Sequence, residues 1–154
     1  MPGLLFDMKQ IEVIRGPQSS IFGSNAMAGL ISMRSVEPIS HFESSIQTTI
    51  ATENTKHVGI SVNTSVLSNL NTRFSVYSIE TDGFRNNQYK NITNSDGKSE
   101  LLIRNKSIWT PNSFIQFDLT TLYSQQNNKY DAWAPDNNKE LKTYSDKEGM
   151  DSQK

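Results

Sequence analysis

The chain has 154 residues, a formal net charge of −1, no cysteine and only two histidines, His41 and His57. These values exclude a disulfide framework and a thiolate metal site, and leave too few imidazoles for a histidine-rich one. With no lysine or arginine cluster, they also give no electrostatic basis for nucleic-acid binding. A mean hydropathy of −0.57, without an apolar run of about 18 residues, excludes a transmembrane helix. It does not exclude a transmembrane β-barrel, whose lumen-facing half is polar.

The first residues, Met1-Pro2-Gly3-Leu4-Leu5-Phe6-Asp7, show no charged n-region, apolar h-region or small-residue cleavage site of a signal peptide. Ile11-Glu12-Val13-Ile14-Arg15 alternates with period two and predicts a half-buried strand. Gly16-Pro17 stops it, because glycine admits unusual φ values and proline has no N–H for a ladder. Gln18 to Phe22 fits one or two helical turns with Pro17 near their start. Gly23-Ser24-Asn25 can end those turns, and Ala26 to Met33 reads as a second strand padded with small residues.

The same residues carry a resemblance. Gln10-Ile11-Glu12-Val13-Ile14-Arg15-Gly16-Pro17-Gln18-Ser19-Ser20, running into Gly23-Ser24-Asn25-Ala26-Met27-Ala28-Gly29, closely resembles the end of the plug domain in TonB-dependent outer-membrane receptors. In that family an E-V-[LI]-R-G-P strand and a [YF]-G-x-N-A-x-x-G turn precede the last plug strand and the passage into the barrel. The resemblance implies that Arg15, Gly16, Pro17, Gly23, Asn25 and Gly29 are structural plug residues, not ligand contacts. It also implies a division into the C-terminal part of a plug, 1–38, and the N-terminal part of a transmembrane barrel, 39–154. Against the family pattern most of the plug, the TonB-contacting segment and most of the barrel are missing, so the chain reads as an internal fragment.

Val36-Glu37-Pro38 marks the boundary, since proline cannot sit in a central strand. Beyond it the sequence alternates in segments matching the roughly 9–11 residues of a spanning β-strand. In Phe42 to Thr52 the apolar Phe42, Ile46 and Ile50 share a face with Ser44 and Thr48. In Lys56 to Val66, Val58, Ile60, Val62 and Val66 oppose His57, Ser61 and Asn63. Leu70, Thr72, Phe74 and Val76 oppose Arg73, Ser75 and Tyr77. Ser99 to Trp109 is the weakest pattern: Glu100, Arg104 and Lys106 share a face, leaving Leu101, Ile103 and Trp109 outward together with Asn105. In the fifth segment Ile115, Phe117, Leu119, Thr121 and Tyr123 face away from Gln116, Asp118 and Thr120. Turns after the second and fourth segments are tight, whereas Thr81 to Lys98 and Gln125 to Lys154 are long and polar, the asymmetry of an outer-membrane barrel. The tight turn at Glu53-Asn54 is the exception. The fold expected is mainly β: about five strands of a partial antiparallel barrel, preceded by the α/β end of a plug. Five strands cannot close around a plug; family transporters use about 22.

No catalytic constellation is present. Gly23 to Gly29 lacks the Gly-Lys-[Ser/Thr] of a phosphate loop. Asn91 to Gly97 lacks the alternating ligands of a calcium loop and reads as a hairpin tip. Trp109 and Tyr123 suit interfacial aromatic girdles, Tyr123 near the outer end of its strand. Phe84, Tyr89, Tyr130 and Trp133 sit in polar loops, and the stretch around Tyr130 and Trp133 resembles a receptor outer loop, making those two candidate ligand contacts. What the resemblance implies for an intact protein is energised uptake of a scarce ligand, such as a ferric siderophore or a cobalamin-like complex, across the Gram-negative outer membrane. Its partners would be outer-membrane lipid and the TonB complex; no enzymatic activity, cofactor or metal is expected. The alternative is a soluble, secreted β-rich binding domain.

Overall fold

The computed structural model describes residues 2–18, 22–23, 25–129 and 142–143. Two antiparallel units account for nearly all of it. The first is a ribbon of β1 (Met8–Arg15) and β2 (Gly29–Ser35), in register through Val13↔Ile31 and Arg15↔Gly29. Between them Phe22 N–H donates to the Gln18 carbonyl at 3.0 Å, one helical turn's worth of bonding. The helical turns expected over Gln18 to Phe22 fall largely outside the described residues, and what is described of the expected α/β piece is the β ribbon. The second strand starts at Gly29 instead of Ala26 because Ala26 closes the turn. Its carbonyl accepts from Gln18 N–H at 2.8 Å and its N–H donates to Gly23 at 3.1 Å.

The second unit is a five-stranded sheet in the order β3-β4-β5-β7-β8, antiparallel throughout. Its strands are β3 (Glu43–Ala51), β4 (Thr55–Leu67), β5 (Leu70–Thr81), β7 (Lys98–Asn112) and β8 (Ile115–Asn128). β6 (Asn86–Asn87) lies in the loop after β5 and pairs in parallel with β9 (Lys142–Thr143). The last two long strands extend past their apolar alternation because backbone pairing continues through polar residues, as in Ser99↔Asn127. Among the described residues β3 and β8 each pair on one side only, so the sheet is not closed.

Period-two alternation gives the sheet two unlike faces. On one, Ile46, Ile60, Val76, Ile103 and Tyr123 form a continuous cross-strand row, flanked by Val58 and Leu101 on one side and Val62 and Phe74 on the other. This face is bare: Ile46, Ile60, Phe74, Phe117 and Leu119 are all exposed. On the opposite face Ser61, Asn63, Arg73, Ser75, Tyr77, Glu100, Leu102 and Arg104 are buried. Few apolar side chains are buried among the described residues: Ala26, Pro38, Tyr77 and Leu102. The covered side is thus polar and the uncovered side apolar, the reverse of a soluble sandwich.

The outward Asn105 has a local explanation. Its amide donates to Thr72 Oγ1 at 3.0 Å, Thr72 and Ser107 hydroxyls meet at 2.8 Å, and Ser107 donates back to Asn105 Oδ1 at 3.1 Å. Tyr123 is displaced from its expected place. β8 continues to Asn128, so the ring lies in the middle apolar row, with its hydroxyl on Gln125 Oε1 at 3.2 Å. Trp109 remains beside the short β7–β8 turn, stacked on Phe117 with ring centroids 5.4 Å apart. The Glu53-Asn54 turn is tight as expected. Both residues have left-handed φ (57° and 50°), the type I′ geometry that matches strand twist.

Candidate functional site: the seam between the N-terminal segment and the sheet

The polar face is covered by two stretches of chain, residues 2–7 ahead of the ribbon and 36–41 after it. A 3₁₀ turn, Pro2–Leu5, lies against β5 and β7. A Cβ at Gly3 would stand 2.9 Å from the Tyr77 ring. Phe6 seats in the gap left by Gly59, where an added Cβ would lie 2.8 Å from Phe6 Cζ. The Phe6 and Tyr77 rings are 5.8 Å apart and the His57 ring lies 4.5 Å from Tyr77, each pair tilted.

Asp7 is the hub. Its backbone is left-handed (φ 57°), an uncommon conformation for a residue with a Cβ. Its carbonyl accepts from Val36 N–H at 3.2 Å, which ties the two covering stretches together. Its carboxylate receives a forked contact from Arg73: Nη2 donates to Oδ1 at 2.6 Å and Nε to Oδ2 at 2.9 Å. Both side chains are almost wholly buried. Arg73 also donates to Ser61 Oγ at 3.2 Å and to the half-exposed Glu43 at 3.4 Å. A planar guanidinium suits this pairing because its fork matches a carboxylate.

Arg104, two strand positions from Leu102, is held without a carboxylate. Nη1 donates to the Phe6 carbonyl at 3.0 Å and Nη2 to the Leu4 carbonyl at 3.4 Å. A guanidinium thereby satisfies backbone acceptors of a segment that has no strand partner. Asn63, fully buried, does the same for the second stretch. Its Oδ1 accepts from Ile39 N–H at 3.0 Å, and its amide donates to the Ile39 carbonyl at 2.9 Å and to that of His41. Lys106 reaches Glu37 at 3.6 Å. The arrangement fastens a chain segment to a wall. It holds no nucleophile–base pair.

The motif residues lie at the far end of the ribbon. Arg15 is exposed, and its side chain makes no hydrogen bond or ion pair among the described residues. Gly29 is required where it stands, since a Cβ there would meet the Ile14 carbonyl at 2.7 Å. Gly16 and Gly23 have φ of 91° and 89°, and Pro17 and Asn25 sit in the exposed turn region. Tyr130 and Trp133 lie outside the described residues. In the loop after β5, Asp96 Oδ1 accepts from the N–H groups of Phe84 and Arg85, each at 2.8 Å, so this carboxylate caps a turn. The exposed Phe84 and Tyr89 side chains are in that loop.

Sequence reasoning missed Asp7 and Phe6, and placed Asn63 on the polar face without finding what it holds. One signal for them was available: Arg73 and Arg104 fall on the polar parity of their strands, and buried cations demand partners. No protein-family model matches the chain.

Proposed function

We propose that this chain is the plug end and first five barrel strands of a TonB-dependent outer-membrane receptor, which takes up a scarce ligand such as a ferric siderophore. One observation carries the reading. Strands of 9 to 15 residues present a bare apolar face on one side and a polar face on the other, and the polar face is occupied by the segment leading into the motif ribbon. Lipid on the first side and a plugged lumen on the second account for both. On this reading Asp7, Phe6 and the 36–41 stretch belong to the plug and its tether, and Arg73, Arg104 and Asn63 to the barrel wall. The unpaired β3 and β8 edges call for further strands, so the chain alone does not transport.

Partitioning tests this. The chain, refolded from denaturant, is expected to float with phospholipid vesicles and to need detergent for dispersal. Recovery as a soluble monomer without detergent would overturn the proposal in favour of a soluble binding domain.

A further inference from the structure

We propose that Glu100, on the polar face of β7, anchors a site for the ammonium group of a small amine-bearing ligand. The inference deepens the receptor reading above and rests on it, because that reading puts this part of the polar face in the ligand's path. The N-terminal segment covers the row of Gly59, Tyr77 and Leu102. The next row toward the 82–97 loop is His57, Ile79, Glu100 and Gln126. Long loops lie on the outer side of such barrels, so this row is the first stretch of wall above the covered seam. His57, Ile79 and Gln126 are half-buried, and the row is not sealed.

Glu100 is only 7% exposed, yet no cation meets it. None of the ion pairs among the described residues involves it, and Lys98, two positions along on the same face, does not reach it. Its one hydrogen bond is long, from Asn128 Nδ2 to Oε1 at 3.4 Å, and Oε2 has none. The buried arginines of the same face are provided for: Arg73 has the Asp7 carboxylate, and Arg104 has the Phe6 carbonyl. A carboxylate withdrawn from water without such a partner is unfavourable, and a cation brought to it removes the penalty.

The groups beside Glu100 select the kind of cation. Three buried side-chain atoms lack a hydrogen-bond partner among the described residues, and two of them, Asn128 Oδ1 and His57 Nε2, belong to this stretch of wall. Oδ1 can only accept. His57 Nδ1 lies 3.3 Å from Thr49 Oγ1; with Nδ1–H donating to that hydroxyl, Nε2 is an acceptor as well. A carboxylate and two orphaned acceptors call for a positive guest rich in N–H donors. A primary ammonium carries three, as in lysine. A quaternary ammonium has the charge without the donors, and an alcohol has a donor without the charge.

The test titrates the full chain, dispersed in uncharged maltoside micelles, with cadaverine and separately with pentanediol, its uncharged counterpart. Saturable shifts of the Asn128 side-chain amide and the Glu100 and Leu101 N–H signals are expected with the diamine and not with the diol. Glu100→Gln keeps the shape and removes the charge. It should weaken the response about tenfold, the effect of losing one charge-assisted contact, and leave the denaturant midpoint unchanged or higher, since no internal pair is broken. A lowered midpoint would show that the carboxylate serves the fold, and overturns the site. Equal shifts from diol and diamine overturn it too, as does the absence of diamine shifts in the wild-type chain, a comparison that needs no variant to fold. The receptor reading fails separately, if the chain stays monomeric without detergent. The same titration in buffer then decides the site alone: saturable diamine shifts retain it, and their absence removes it.

Discussion

Asp7 combines a left-handed backbone with a buried carboxylate, and both are sustained by what the side chain holds. Removing its charge strands Arg73 inside the seam, with only the half-exposed Glu43 as counter-ion. Breaking a buried pair by deleting one partner costs about 3–5 kcal/mol, whereas replacing both by apolar groups of similar volume is often neutral. Asp7→Asn is therefore expected to lower stability by that amount in micelles, read as a denaturant midpoint. Asp7→Asn/Arg73→Met should recover much of it, because asparagine tolerates the left-handed φ and no charge is left buried; a double variant as unstable as the singles would mean that the pair is not the seat of the effect. Asn63→Ala leaves the Ile39 and His41 backbone groups without partners, at about 1–3 kcal/mol for each buried group left unsatisfied. Its expected signature is local: faster limited proteolysis within residues 36–41, with the β4–β5 amides unaltered.

At the scale of the strand, adjacent residues occupy different environments. Ile46 lies in the middle apolar row, and Gln47, beside it and equally exposed, has the opposite parity and pairs with Gly59. In a receptor restored to a closed barrel, Ile46→Arg should cost about 2–4 kcal/mol, the figure for arginine near the bilayer midplane. Gln47→Arg should fold nearly as wild type. The heat-modifiable folded band on a gel reads the comparison, and the reverse order would shift every facing by one residue. Ser61, which pairs with Ser45 on the adjacent strand, is a poor control because it is buried under Arg73. The polar knot of Thr72, Asn105 and Ser107 makes a further case: Thr72→Val deprives the Asn105 amide of its acceptor. It should cost about 1–3 kcal/mol by the same midpoint measurement, although valine is the more apolar residue. The five strands were legible from alternation alone, because burial on one side of a pleat imposes period two on the residues. Tyr123 was misplaced because pairing, not hydropathy, carries β8 on to Asn128. Asp7 was illegible for a different reason. It belongs to no periodic segment, and its partner is 66 positions away, a distance across which local pattern carries no information.

For the molecule as a whole, two single-sided edges and an apolar face predict self-association in water. The chain expressed alone in a receptor-deficient strain is expected to give no ligand-dependent growth; rescue would show that five strands suffice. The seam also bears on the order of assembly. Its contacts join the first residues of the chain to Arg73 and Arg104, the latter 98 positions from Phe6. The surface that receives Phe6 and Asp7 exists only after β4, β5 and β7 have paired. Closing so long a loop before the strands are in register has an entropy cost that few contacts repay. Phe6 and Asp7, which precede the strands in the chain, should therefore settle after them. Pulse-labelled hydrogen exchange during refolding in micelles should find the β4–β5 amides protected while the Val36 N–H, bonded to the Asp7 carbonyl, still exchanges. A slow final phase should then disappear in Asp7→Asn/Arg73→Met, because an uncharged segment docks without first aligning a buried ion pair.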